Sequence, residues 1–439
     1  MPRRDAAHWV IAAVTALAFA DSAIVVLALP DLVTRFDASV KDVSWVIAAF
    51  NLAAAVTAVA LAITRRRATL AGALVFAGAS LACALTPSLV FLDVARATQG
   101  IGAAVILVGT SAFLPLRTWS IAGAVGFAIG PALGGILTQL AGWRWIFALQ
   151  VPAALLLALA LRGRRAEPDA AEGRKARFPA PVDGAVLLVS AGLVGALFLS
   201  VVLLVNAWSF SPVTAAGMLT AVPAAALVTA MLARRLHPAV DAAAGAVLIA
   251  GGLGILALLG GESVPLALLA LAIAGGGVGL ALGPGLAHLA PASHAAGSTW
   301  SIAARHAGLV AGIVVIAPLL NSGLSPVRNR AISRGVSTLT VAPLPITQKL
   351  LLGADLARAI ATTPRMTLPN LDPPFARARR RADSNEERSN LDSLDAQFVA
   401  ILEEELTRAF HRSFAIAALL ALGAVPFVAV AAMRQKRAG

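Results

Sequence analysis

Tyrosine is absent from this sequence, and cysteine occurs once, at Cys83. A lone cysteine excludes an intrachain disulfide and any multi-cysteine metal site. Without tyrosine, aromatic contacts to a ligand fall to Trp and Phe alone. Charge is scarce, at 13% of residues, while 59% of the chain is hydrophobic and the mean hydropathy is +0.84. So much apolar surface does not fit inside one soluble core, and lipid must cover the remainder. No nucleophile and base, and no set of metal ligands, stand at a spacing that serves catalysis or a metal centre. The reading is therefore not an enzyme, with no cofactor and no metal. Acidic residues are the scarcer sign, 22 against 35 Lys and Arg, for a net charge of +13. The excess sits mainly in short loops between apolar runs, which is the pattern of membrane orientation and not of nucleic-acid binding.

Twelve apolar stretches of about 20 residues, enough for one crossing each, start near His8, Val43, Ala68, Phe91, Trp119, Trp143, Val182, Val213, Asp241, Val264, Trp300 and Phe410. Arg3 and Arg4 before the first run resemble the start of a signal peptide, but many similar runs follow, so it reads as a retained helix. Basic residues gather at Arg65 to Arg67, between Arg162 and Arg177, at Arg234 and Arg235, and in the tail, whereas the alternate short loops hold only Arg35, Lys41 and Arg144. The positive-inside rule then places both termini in the cytoplasm of a multi-pass cell-membrane protein. The fold expected is all-α, a bundle of about twelve transmembrane helices in two six-helix halves. These span residues 1–162 and 182–433, joined by a cytoplasmic linker at 163–181 and followed by a tail at 434–439. Each half carries an arginine cluster after its second span, which suggests parallel repeats around a central substrate path. Basic loops also recur in membrane proteins without repeats, so that pattern alone leaves both readings open.

Residues 126 to 135 read GFAIGPALGG within an uncharged span. Gly126, Gly130, Gly134 and Gly135 allow another helix to approach the backbone closely, and Pro131 favours a bend. That combination suits a seam in a bundle whose halves rock, although a glycine-rich packing face serves other polytopic proteins too. A polar, proline-rich insert at 321–409 falls on the outer side. Within it Leu391, Leu394, Phe398, Ile401 and Leu402 recur at helical spacing and lead toward Phe410. It reads either as a solvated cap or as a surface for a protein partner.

Charges inside apolar spans cost about 2.5 to 3.5 kcal/mol on insertion scales, so they pair or face water. Asp21 lies in the first span and Arg96 in the fourth. At about 1.5 Å per residue they sit roughly 13 Å and 8 Å from the outer ends, a gap that an arginine side chain spans. Pairing holds Asp21 ionised, and a state that breaks the pair favours proton uptake. A static structural ion pair is the plainer alternative.

Several segments carry a family resemblance. RATQGIGAA, from Arg96, resembles the arginine motif in the fourth helix of major facilitator superfamily transporters, and GFAIGPALGG resembles their antiporter motif in the fifth. GWRWIFALQVP, from Gly142, is similar to the start of the sixth helix. ADSAIVVLALP, WVIAAFNL and SIAARHAGLVAG resemble the drug:proton antiporter branch often built with fourteen spans. Three departures stand out. ALAITRRR, Ala60 to Arg67, keeps only the basic part of the family's gating loop after the second helix, and His306 stands where a glutamine is usual. Phe50 likewise replaces a usual tyrosine.

The resemblance implies alternating access, with export of a small apolar or amphipathic compound driven by inward proton movement. Asp21 is then the proton carrier and Arg96 its partner, with Trp45, Asn51, Gln99, Phe127 and Gln150 as substrate-cavity candidates and Arg305 at the inner mouth. The partners implied are a small-molecule substrate, protons and the lipid bilayer, in a bacterial inner membrane. Two alternatives stand beside this. One is an exporter dedicated to a metabolite or lipid, and the other is a non-transporting membrane protein that binds a partner through the insert.

Overall fold

Backbone groups in a bilayer have no water to bond with, so each span must satisfy them internally as helix. The computed structural model describes residues 2–64, 68–164, 180–232, 237–282, 294–324, 326–362 and 370–438, and among them it holds helices and turns with no strand. The clusters at Arg65 to Arg67 and at Arg234 and Arg235, most of the 163–181 linker, and the side chain of Phe127 lie outside the described residues.

The first half opens with α1 (Pro2–Ile24), which tightens into a 3-10 turn at Val25–Ala28 before α2 (Leu29–Phe36). Pro30 in the first turn of α2 has no amide hydrogen to leave unpaired there. A Ser39 and Asp42 capping box starts α3 (Val40–Val43), and α4 (Trp45–Thr64), α5 (Thr69–Ala84) and α6 (Leu89–Thr110) follow. Ser88 caps α6 by accepting from the Phe91 amide at 3.3 Å. The half closes with α7 (Leu116–Ala141), α8 (Arg144–Ala148) and α9 (Gln150–Leu161). α6 packs between α4 and α5, while α1 runs along α7.

In the second half α10 (Pro181–Val202) is buried along nearly its whole length and ends in a π-helical turn, Leu203–Ala207. Then come α11 (Pro212–Leu219), α12 (Ala221–Leu232), α13 (Pro238–Ala257), α14 (Val264–Leu280) and α15 (His294–Leu324). The two halves meet where α4 packs on α15 and where α7 packs on α11. Among the described residues, eight helical runs are long and apolar enough to cross a membrane; a bent pair at residues 6–36 and three shorter apolar helices fall on the other stretches read as spans.

Between α15 and the last span the chain folds into four helices, α16 (Val327–Val341), α17 (Ile346–Thr362), α18 (Asp372–Arg381) and α19 (Asn385–Ala409). The segment that reads as polar thus holds its own core, in which Leu352, Leu356 and Phe375 meet Leu391, Leu394 and Phe398. Residues 321–324 belong to the end of α15. Glu405 of α19 accepts from Arg330 Nε at 2.7 Å and from Arg334 at 2.9 Å, tying α19 to α16. Trp208 Nε1, just past the π turn, donates to Thr407 Oγ1 at 3.1 Å, and His411 Nε2 donates to the Leu259 carbonyl at 2.7 Å. These bonds fasten the four-helix unit to the second half. The chain then ends in α20 (His411–Leu422) and α21 (Ala424–Ala438).

Candidate functional site

Asp21 and Arg96 meet in the interior of the first half. Arg96 Nη1 donates to Asp21 Oδ2 at 2.5 Å, and both side chains are wholly buried. A buried pair survives only when its remaining donors and acceptors are also engaged. Here the neighbours do this. Gln150, the first residue of α9, donates through Nε2 to Asp21 Oδ1 at 2.6 Å. Arg96 Nε donates to the Val46 carbonyl of α4 at 3.0 Å, and Nη1 also reaches Gln99 Oε1 at 2.6 Å. Gln99 lies three residues after Arg96 on α6, hence on the same face. Its own amide donates to Ser80 Oγ at 2.8 Å and to Gln150 Oε1 at 2.6 Å. The ring closes through Gln150 back to Asp21.

Aromatic faces hold the cation from the remaining sides. The guanidinium carbon of Arg96 stands 4.2 Å from the Phe50 ring centroid and 5.6 Å from that of Phe147. Such contacts favour a desolvated cation, and they suit Arg96 Nη2, which is buried without a hydrogen-bond partner among the described residues.

A second set of bonds leads from this cluster to the other half. Ser22, next to Asp21, donates to Asn51 Oδ1 at 3.2 Å, and Asn51 Nδ2 donates to the Ile47 carbonyl at 2.8 Å. His306 Nδ1 of α15 lies 2.7 Å from the same Asn51 oxygen. The Phe50 and His306 rings meet edge to face at 6.1 Å.

The glycine motif bears on the helix that carries the acid. A Cβ at Gly126 would land on the Ala16 carbonyl, and one at Gly134 on the Ile24 carbonyl, so α7 touches the α1 backbone on both sides of Asp21. Gly135 faces α11 instead, where a Cβ would come within 2.8 Å of the Pro212 carbonyl oxygen. Gly130 and Pro131 are buried between these contacts. Arg305 lies over the Phe19 ring at 5.1 Å, a contact between α15 and α1. Trp45 is 44% exposed at the start of α4 and takes no part in the network. Asn51, Gln99 and Gln150 are thus brought together with Asp21 and Arg96, and Trp45 is not. Sequence reading missed Ser22, Ser80, Phe147 and the bond from His306 to Asn51. His306 alone carried a signal, as a departure from the family pattern.

A helical membrane bundle with a wholly buried ion pair inside its first half suits a membrane transporter. The family model of the Major Facilitator Superfamily matches residues 11–316, and the chain belongs to that superfamily. The multidrug resistance protein Stp of Mycobacterium tuberculosis is 37% identical over 161 residues, covering 33% of this chain and 30% of that protein. The lincomycin resistance protein of Streptomyces lincolnensis is 30% identical over 258 residues, covering 54% of this chain and 52% of that protein. The matched stretches thus span about half or less of these relatives. In fold, the chain is similar to a bacterial homologue of the human lysosomal transporter Spinster, solved inward-facing and occupied. The TM-score is 0.63 at 13% identity, with 99% of this chain and 97% of that one covered.

Proposed function

We propose that this chain is a proton-coupled efflux antiporter that exports small apolar or amphipathic compounds, drugs among them, by alternating access of its two halves. The observation that carries this is the Asp21–Arg96 pair, wholly buried and held by Gln99 and Gln150. The relatives' names, multidrug resistance protein and lincomycin resistance protein, support the drug class. The working membrane is a bacterial inner membrane with both termini in the cytoplasm, and the 321–409 insert lies on the outer side.

In the closed pair Asp21 is a carboxylate with both oxygens accepting bonds. A relative shift of α1 against α6 lengthens the bond to Arg96, and the carboxylate, left in an apolar interior, takes a proton. Arg96 then turns to its remaining acceptors, the Gln99 oxygen and the Val46 carbonyl. Return of the pair expels the proton on the other side. Each proton moving down the potential supplies about 2.3 kcal/mol per 100 mV, which drives the cargo outward. Contacts from Gly126 and Gly134 to α1 let α7 follow that shift without side-chain clashes.

Substrate-dependent proton flux in proteoliposomes tests this, with wild type and Asp21→Asn compared at equal protein density. Flux in wild type and its loss in a folded Asp21→Asn protein is the expected result. Equal flux in both removes Asp21 from the coupling, and no flux in wild type across a broad panel of apolar and amphipathic compounds removes the antiporter.

A further inference from the structure

The imidazole of His306 is fixed by its neighbours in one tautomer. Asn51 Nδ2 is occupied by the Ile47 carbonyl, so the atom that Asn51 turns toward α15 is its oxygen. An oxygen only accepts, and His306 Nδ1 therefore carries the proton and donates at 2.7 Å. Nε2 is left as a bare acceptor. It is enclosed, His306 being 1% exposed, and it has no hydrogen-bond partner among the described residues. A buried acceptor without a partner is an uncommon and unfavourable arrangement that calls for a reason.

Its position supplies one. Asn51 stands on α4 of the first half and His306 on α15 of the second, so their bond crosses the seam along which the halves pack. Opening that seam parts the two side chains and exposes a donor, Nδ1–H, together with two acceptors, Nε2 and Asn51 Oδ1. The Phe50 ring lies edge to face against His306 and carries Arg96 on its own face, so the seam borders the ion-pair cluster. The nearby cations are Arg96 and Arg305; of the carboxylates, Asp21 is already bonded on both oxygens, and Asp93, three residues before Arg96 on α6, lies within the field of Arg96. This surrounding disfavours a permanently cationic head group and favours a neutral one.

We infer, on the footing of the exporter reading, that His306 is a cargo-recognition residue: its Nε2 accepts a hydrogen bond from a neutral N–H or O–H group of the exported compound at the seam between the halves.

A matched pair of neutral dyes tests this, N-phenyl-1-naphthylamine, which has one N–H donor, and its N-methyl derivative, which has none. Export of each from proteoliposomes is followed for wild type, His306→Gln and His306→Leu, and the 15N resonances of histidine-labelled protein are recorded with and without each dye. His306→Gln identifies the His306 signals by their disappearance. Wild type should export the N–H dye about fivefold or more faster than the N-methyl dye, His306→Gln should keep most of that preference, and His306→Leu should bring the ratio to about 1. The Nε2 signal should be unprotonated without dye and move only with the N–H dye. Export of both dyes with a ratio unchanged in His306→Leu overturns the recognition role and leaves the exporter reading standing. An Nε2 signal that responds to the N–H dye alone, with no export of either dye, keeps the site and counts against the exporter reading. An Nε2 that is protonated in the free protein, or unmoved by the N–H dye, overturns the site.

Discussion

Gln150 Nε2 donates to Asp21 Oδ1 at 2.6 Å, on the carboxylate oxygen that Arg96 leaves free. The amide oxygen of the same residue accepts from Gln99 at 2.6 Å. One side chain at the start of α9 therefore orients both the acid and the glutamine that shares its arginine.

Gln150→Leu keeps the volume and removes both bonds. Asp21 Oδ1 and one Gln99 amide hydrogen are left buried without partners, and leaving one buried group unmade costs about 1 to 3 kcal/mol. The expected outcome is a lower thermal midpoint in detergent, by the equivalent of about 2 kcal/mol or more, together with slower substrate-dependent proton flux. An unchanged midpoint and unchanged flux would show that Gln150 neither supports the cluster nor takes part in coupling.

Gly126 faces the backbone of α1, not a side chain. Replacing glycine by alanine inside a helix gains up to about 1 kcal/mol from propensity. The Cβ at this position would overlap the Ala16 carbonyl, which cannot move without α1. Overpacking of this kind costs about 1 to 3 kcal/mol, so the clash wins. Gly126→Ala should be destabilised and slowed in transport, and Gly126→Val more so. A Gly126→Ala protein more stable than wild type in a detergent unfolding assay would contradict the close α1–α7 approach.

The four-helix unit at 327–409 has a core of its own, and Phe375 is fully buried in it. Phe375→Ala should cost about 3 to 5 kcal/mol, a large share of the roughly 4 to 12 kcal/mol that holds a unit of this size folded. Hydrogen exchange should then rise throughout α16 to α19 while α4, α6 and α10 stay protected. Exchange unchanged in the insert would mean that bonds such as Trp208 to Thr407 hold the unit without its core.

Much of the ion-pair site was legible in the chain because a charge in an apolar run has few options. Asp21 and Arg96 each had to find a partner, and helical rise put them close enough in depth for the arginine side chain to span the gap. Gln99 was read only as a substrate-cavity candidate, although its three-residue step after Arg96 puts it on the same helix face. Ser22, Ser80 and the bond from His306 to Asn51 were not legible, since a hydroxyl or an imidazole in a helix bonds to whatever helix lies beside it. That neighbour depends on α5 packing on α6 and on α15 packing on α4. Trp45 was an aromatic at a plausible depth, but its ring is 44% exposed outward. The core of the insert was hidden for another reason. Leu352, Leu356 and Phe375 are few among many Arg and Asp residues and come from separate helices, so only the run from Leu391 showed a period.

Asp355 gives the insert a definite response to pH. Its carboxylate accepts from Arg377 Nε at 3.0 Å and also meets Arg358 at 3.4 Å and Arg381 at 3.5 Å, which joins α17 to α18. The hydrogen bond from Arg377, and then the charges of Arg377, Arg381 and Arg358, hold the Asp355 carboxyl below its ordinary value. A group depressed in the folded state stabilises fully above its unfolded pKa, about 3.9 for Asp. That contribution disappears as pH falls through the lower, folded value. Protection in α17 and α18, taken as exchange relative to the intrinsic amide rate at each pH, should therefore be level between pH 8 and pH 5, then fall below about pH 4. The arginines are partly solvent-exposed, so added salt should weaken the effect. Asp355→Asn should exchange faster at pH 7 and lose most of the acid-dependent fall in protection in these two helices. A mutant with the wild-type pH profile would assign the acid response to Glu405 or to the Arg379 pairs with Asp392 and Asp395 instead.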